Sequence, residues 1–392
     1  MIIPKGFQFA GIYAGIKKVK KNDLGLVFFE NQVKASGMFT KNRVKSPSVT
    51  YTKKVIKKGV RALLVVSGNA NACVKDGMND IKNIVNTLSK KINTFPSRIA
   101  FASTGVIGVR MPVDKIKKGC DSLTQSLQNK SYKDFHISMQ TTDAFDKFSE
   151  KCFDIFGTKV NMLVLGKGAG MIAPDMATML IFIFTDVCIS QDALDKAVKN
   201  AVDNSFNIIS VDGDTSTNDM VLAFASSLAG NKEIEIDSPE YIIFYENLFS
   251  ACLEVAKQIV RDGEGATKVI ELRLTGAKDK KDALKALKTI ANSQLVKTAF
   301  YGNDPNWGRI LAAIGRSGVS IKEGMIDIDI AGMPVVRKGV EAKGFSEEKL
   351  KKIMSSSEIQ VDIDLHMGKG KAIFYTSDLT MDYVKLNSAY RT

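Results

Sequence analysis

Two histidines, one tryptophan, eight prolines and ten arginines are all that this 392-residue chain has of those four types. Each scarcity narrows the chemistry. His136 and His366 lie in no metal-type cluster such as HExxH, so a His-ligated metal is not signalled. A histidine-based catalytic triad would have to use one of the two, and an enzyme built on this chain therefore needs another base. Five cysteines (Cys73, Cys120, Cys152, Cys188 and Cys252) are odd in number, widely spread and without a CxxC pair. That pattern argues against a disulfide framework or a zinc site and for buried free thiols in a reducing compartment. No apolar run approaches the roughly 18–20 residues of a membrane helix. The opening stretch, MIIPKGFQFAGIYAGIKK, is too broken by Gly, Pro and Lys for a secretory signal. The expectation is a cytoplasmic protein with no membrane partner.

Arginine scarcity also bears on nucleic acid. The formal charge is +13, carried by 45 Lys and 10 Arg against 42 acidic residues. Lysines cluster at Lys17, Lys18, Lys20 and Lys21 and again at Lys53, Lys54, Lys57 and Lys58. No phosphate-binding GxxxxGK[ST] loop or stacking aromatic pattern accompanies them. Base readout and bidentate phosphate contacts favour Arg, so a solvated Lys-rich surface or an anionic small substrate fits better than RNA or DNA.

What is present reads as ordinary globular composition, 45% hydrophobic and 25% charged, long enough for two or more domains. Strands are expected at Arg61–Val66, Arg98–Ser103, Asn161–Leu165, Thr178–Asp186, Val269–Leu274, Met325–Ile330 and Gln360–Leu365. Helices are expected at Asp76–Lys91, Val113–Leu127, Gln191–Phe206, Pro239–Arg261, Asp282–Asn292 and Gly308–Ile314. Ser190 and Ser238 sit where N-caps belong, and Pro239 suits a first helical turn. In the longest helix Ile242, Leu248, Phe249, Cys252, Leu253, Ala256, Ile259 and Val260 form the predicted apolar stripe. The fold class is mixed α/β, or α+β.

Four Gly- and polar-rich segments interrupt this pattern at strand ends: STGVIG (103–108), GKGAGMIAPDMATML (166–180), VDGDTSTND (211–219) and YGNDPNWGRI (301–310). The Asp-rich run is not an EF-hand, because the sixth position from Asp212 is Thr217 and the twelfth is Ala223. Thr178 is a hydroxyl residue at the mouth of the most apolar strand. A strand-end Thr is ordinarily a β-branched strand former. In a chain nearly without histidine it has a second reading. An N-terminal Thr carries its own base, an α-amine of pKa about 7.7–8.0, and cleavage of Ala177–Thr178 would create one.

Taken together, KGAGMIAPDMATML, STGVIG, VDGDTSTND, DGEGATK, DPNWGRI and the C-terminal YVKLNSAYRT resemble the ornithine acetyltransferase family, in family order along the whole chain. Bifunctional members are also glutamate N-acetyltransferases (N-acetylglutamate synthases) of arginine biosynthesis. One departure is Val74 after Asn71-Ala72-Cys73, where the family usually has Thr. The resemblance implies a self-processing, N-terminal-nucleophile-type α/β sandwich with a smaller C-terminal α/β lobe at roughly 280–360. It implies a cut at Ala177–Thr178 into an α chain, 1–177, and a β chain, 178–392, that assemble as a heterotetramer. Thr178 would be the nucleophile, and Thr104 with Gly105 the oxyanion-hole pair. Thr141, Lys167, Thr178, Glu264, Asn387 and Thr392 would contact substrate. The implied reaction moves acetyl from N2-acetylornithine to glutamate by a ping-pong route. No cofactor or metal is implied; acetyl-CoA enters, in bifunctional members, as a donor substrate. Two other readings stay open: a related N-terminal-nucleophile amidohydrolase or aminopeptidase, and a basic RNA-binding protein. The implied fragments carry opposite charge, 29 basic against 12 acidic residues in 1–177 and 26 against 30 in 178–392.

Overall fold

The structure, a computed structural model, describes residues 1–173 and 179–389. Its strands are β1 Phe7–Ile12, β2 Leu24–Phe39, β3 Val60–Asn69, β4 Ile99–Val106, β5 Lys147–Ile155, β6 Thr158–Lys167, β7 Leu180–Thr185, β8 Ile209–Ser210, β9 Met220–Ala225, β10 Val269–Ala277, β11 Asp327–Ile330, β12 Met333–Arg337, β13 Val340–Glu341, β14 Glu358–Asp364 and β15 Gly370–Ser377. Its helices are α1 Pro47–Val55, α2 Gly77–Lys91, α3 Val113–Gln125, α4 Lys133–Met139, α5 Gln191–Asp203, α6 Pro239–Arg261, α7 Lys280–Ala291, α8 Gln294–Tyr301, α9 Trp307–Gly315, α10 Glu347–Ile353 and α11 Met381–Ala389.

The first sheet runs β4-β3-β2-β9-β7-β6-β5, with β1 added on β2. The long strand β2 joins its two halves. Leu24–Phe28 pair with β3, whereas Lys34–Phe39 pair with β9, and the register shifts between Phe28 and Val33. There the exposed Glu30, Asn31 and Gln32 let the strand change direction. Side-chain alternation then builds three layers of core. Leu180, Phe182 and Phe184 of β7 join Phe7, Phe9, Phe29, Leu63 and Phe224 in a core between the half-sheets. Phe9 of β1 meets Phe184 of β7 edge-on at 5.2 Å, although the two strands share no ladder. Ile181 and Ile183 face the other way, into α5 and α6. On the opposite outside, Leu24, Leu64 and Phe101 pack against α2 and α3. This is a helix–sheet–sheet–helix sandwich, the α/β class expected.

The second sheet runs β13-β12-β11-β14-β10-β15-β8. One face and helices α7, α9 and α10 enclose a core that draws on residues from Ile270 to Phe374. Strand β8, from the 209–210 segment, hydrogen-bonds β15 and ties the two sheets' units together.

Capping logic holds well. Ser190 and Ser238 accept from the Ala193 and Tyr241 N–H groups, and α6 starts on Pro239 as expected. The predicted stripe on α6 holds at Leu248, Cys252, Ala256, Ile259 and Val260, which are buried, but Ile242 is 54% exposed and Tyr241, Phe244 and Val255 join the buried face. The expectation of uniformly buried thiols also fails, since Cys73 and Cys152 are exposed while Cys120 and Cys252 are buried. Among the described residues no helix is long and apolar enough to cross a membrane.

Candidate active site

A cleft at the ends of β4 and β6 gathers six of the candidate residues: Thr104, Gly105, Thr141, Lys167, Glu264 and Asn387 all line it. Ala177, Thr178 and Thr392 lie outside the described residues.

Thr104 and Gly105 were expected in a turn after β4. They are instead paired residues near its end, opposite Ser67 and Gly68, at a bulge where Asn69 faces both Thr104 and Val106. Such a bulge re-aims backbone and side chains at a strand end. Gly105 has φ +127°, and a Cβ there would meet the Gly68 carbonyl carbon at 2.4 Å and the Asn69 nitrogen at 2.6 Å. Only glycine fits. Asn218 locks the neighbouring backbone, its Nδ2 donating to the carbonyls of Ala70 at 2.5 Å and Ser103 at 2.9 Å.

Lys167 is implied by the resemblance as a substrate contact in the GKGAG segment. It is the final residue of β6 and only 2% exposed. Its Nζ donates to Thr104 Oγ1 at 3.1 Å. Burial lowers its pKa from the usual lysine range, while Asp143, Asp219 and Glu264 pull the other way. After it the chain turns through Gly168, Ala169 and Gly170. A Cβ on Gly170 would lie 2.4 Å from Glu264 Oε2, so the glycine makes room for that carboxylate. Glu264 is held by its own N–H on the Ala169 carbonyl, 2.9 Å, and by Asn387 Nδ2 donating to Oε2, also 2.9 Å. The C-terminal stretch that carries Asn387 is thus helix α11 placed over the cleft.

Two carboxylates of the VDGDTSTND run flank the stretch that contains Thr178, and sequence reading missed their role. Upstream, Asp212 accepts from the N–H groups of Met171 at 2.6 Å and Ile172 at 2.8 Å. Downstream, Asp219 Oδ1 accepts from the Met179 N–H at 2.9 Å. Burial pushes Asp212 up to about 6 despite those N–H donors, and pushes Asp219 well above the carboxylate range. The available signal was their spacing: seven residues apart, in a loop too acidic for its burial.

Thr141 is set by Asp143, whose Oδ2 accepts the Thr141 N–H at 2.8 Å and whose Oδ1 accepts the Gly168 N–H at 2.8 Å. Neither histidine lines the cleft. His136 is buried, its Nε2 2.9 Å from the Gly166 carbonyl, and burial lowers its pKa. His366 is surface-exposed beside Asp327, 3.0 Å away. Among the described residues no cluster of His, Cys, Asp and Glu forms a metal site.

A cleft with a hydroxyl, a strand-end glycine, a buried ammonium and an opposing carboxylate matches the pattern carried by the motifs. The chain matches the model of the ArgJ family over residues 8–392. It belongs to that family. The arginine biosynthesis bifunctional protein ArgJ of Syntrophotalea carbinolica is 43% identical over 396 residues, all of both chains being covered. The protein of the same name from Thermotoga neapolitana is 41% identical over 399 residues, again across all of both chains. Among solved structures, the arginine biosynthesis bifunctional protein argJ of Bacillus halodurans is 44% identical with a TM-score of 0.53; all of that chain is covered, and 54% of this one.

Proposed function

We propose that this chain is an acyltransferase of arginine biosynthesis that moves acetyl from N2-acetylornithine to glutamate, through an acetyl ester on Thr178 freed by self-cleavage after Ala177. The observation that carries the reading is the pairing of a buried cation, Lys167, with a carboxylate, Glu264, across a cleft that also holds the Thr104 hydroxyl. An amino-acid substrate has a carboxylate for the first and an ammonium for the second. Asp212 holds the Met171 N–H and Asp219 the Met179 N–H, and these anchors support taking Thr178 as the nucleophile of this reaction.

In this mechanism Thr178 Oγ adds to the acetyl carbonyl, and the Thr178 α-amine takes the hydroxyl proton. The oxyanion accepts from the Thr104 hydroxyl and the Gly105 N–H. Thr104 suits this task because its oxygen already accepts from Lys167, which leaves its proton free to donate. The C–N bond breaks, ornithine departs with the proton, and the acetyl ester remains. Glutamate enters the same site, its amine attacks the ester, and N-acetylglutamate leaves. Thr141, Asn387 and Thr392 complete the substrate contacts. Acetyl-CoA serves as the second donor, in line with the bifunctional name of the relatives. No cofactor takes part.

Cleavage leaves a larger fragment of 215 residues, just over half of the 392. A solved relative covered in full by 54% of this chain supports a product of that size. The fragments remain together through the shared cores, and two such pairs form the heterotetramer. The test is kinetic. Double-reciprocal plots against acetylornithine and glutamate should be parallel, and Thr178→Ala should stay one full-length chain. Intersecting lines would point to direct transfer in a ternary complex, and release of acetate with water as acceptor to a hydrolase.

A further inference from the structure

Behind the cleft lies an ion cluster that the reaction scheme does not use. Lys147, at the start of β5, is wholly buried, and its Nζ contacts Asp143 Oδ1 at 2.6 Å and also Asp262 Oδ2. Asp143 is wholly buried and Asp262 nearly so. Its arms lead toward Thr141, Lys167 and Glu264, which line the cleft. Asp143 receives the Thr141 and Gly168 N–H groups, and Gly168 follows Lys167. Asp262 receives the Ala144 N–H at 3.1 Å and stands two residues before Glu264, at the end of α6.

Two carboxylates face one ammonium, and they differ: burial raises the Asp262 pKa against the pull of Lys147, while Asp143 is held ionised. The second cation that acts on Asp143 is Lys167, the residue before the Gly168 N–H that Asp143 accepts. Burial works against ionised Asp143, yet Lys147 and Lys167 hold it below the usual carboxylate range. Burial works against Lys167 in turn, and Asp143 is the strongest of the groups that oppose that loss. The other charges acting on Lys167 are Lys147 from β5, Asp219 before β9, Glu264 after α6, and Lys17 from the N-terminal loop.

We propose that Asp143 is a positioning residue for substrate recognition: braced by Lys147 and Asp262, it holds the Thr141 and Gly168 N–H groups in place at the cleft and supplies a buried negative charge beside Lys167. The inference deepens the acetyltransferase reading and rests on it for the identity of the substrates. Its physical core is independent of them. A buried ammonium stripped of its counter-ion gives up its proton at lower pH.

Asp143→Asn keeps the shape and removes the charge. The first readout needs no substrate: the pH at which acetic anhydride acetylates Lys167, mapped by peptide mass spectrometry. It should move down by about one pH unit or more in the variant. In transfer assays KM for acetylornithine and for glutamate should rise together by about tenfold. The alkaline limb of kcat/KM should move with the labelling. Asp262→Asn removes a charge from the far side of Lys147 and should lower Tm while leaving the Lys167 labelling profile in place. If Asp143→Asn does not fold, Asp143→Glu retains the charge and should keep the labelling profile while raising KM through a displaced Thr141. An unmoved labelling profile in Asp143→Asn, or an equal move in Asp262→Asn, would overturn the proposal. Failure of the wild type to transfer acetyl to glutamate would instead refute the substrate reading and leave the labelling result standing.

Discussion

Thr104→Ala is a sharp perturbation of this site because the side chain has two distinct tasks. Its oxygen accepts from a lysine that is almost fully buried, and in the proposed mechanism its proton donates to the oxyanion. Removing the acceptor takes a hydrogen bond from a buried cation, worth about 1.5–3 kcal/mol. This loss falls on the folded state, and thermal unfolding reads it as a lower Tm. Removing the donor costs transition-state stabilisation, on the order of 10²–10³ in kcat for one oxyanion contact. The Gly105 N–H remains, so activity should fall by about that factor and not vanish. KM should change far less, because Lys167 keeps its place at the end of β6. Thr104→Ser retains the hydroxyl and should recover most of kcat. The assay is steady-state ornithine release with glutamate varied, alongside the rate of acetyl-enzyme formation. A kcat within about twofold of wild type in Thr104→Ala would remove this hydroxyl from the chemistry. A serine variant as slow as the alanine one would show that the methyl group, through packing, is what matters.

Two further outcomes follow from the same geometry. Gly105→Ala places a Cβ 2.4 Å from the β3 backbone at a positive φ; it should destabilise the fold by about 1–3 kcal/mol and cut kcat sharply, and wild-type kcat and Tm would refute the close approach. Asp212 should make activity and stability diverge with pH: its folded pKa, about 6, exceeds its ordinary 3.8, so the folded state holds the proton more tightly and loses stability as pH rises from about 4 to about 6, while its charge on the Met171 and Ile172 amides develops only as pH passes through about 6. Activity should therefore fall as pH drops through about 6, and Asp212→Asn should remove that limb; an acid limb unchanged in the variant would assign it to another group.

Much of the framework was legible in the sequence, for local reasons. Helix α6 starts where Ser238 and Pro239 predict and spans Pro239–Arg261 as expected. The apolar run of β7 announces a strand buried on both faces. What was missed depends on distant partners. Strand β2 escaped notice because Glu30, Asn31 and Gln32 interrupt its alternation where it passes from one half-sheet to the other. Lys167 looks like a loop lysine until Thr104, 63 residues away, and Asp143 come beside it. Helix α11 has no buried residue and no amphipathic face; Asn387 on Glu264 and Tyr383 near Asp212 place it, and those contacts span 123 and 171 residues. The cluster of Asp143, Lys147 and Asp262 is invisible in sequence because no spacing rule joins a β5 lysine to the end of α6.

The central claim is that Thr178, freed by cleavage, carries the acetyl group. Intact mass spectrometry of the purified protein, before and after acetylornithine alone, tests it most directly. The account predicts two species, 1–177 and 178–392, with the second heavier by one acetyl group after incubation and restored to its original mass by glutamate. A single unmodified chain of 42.8 kDa in both spectra would contradict it.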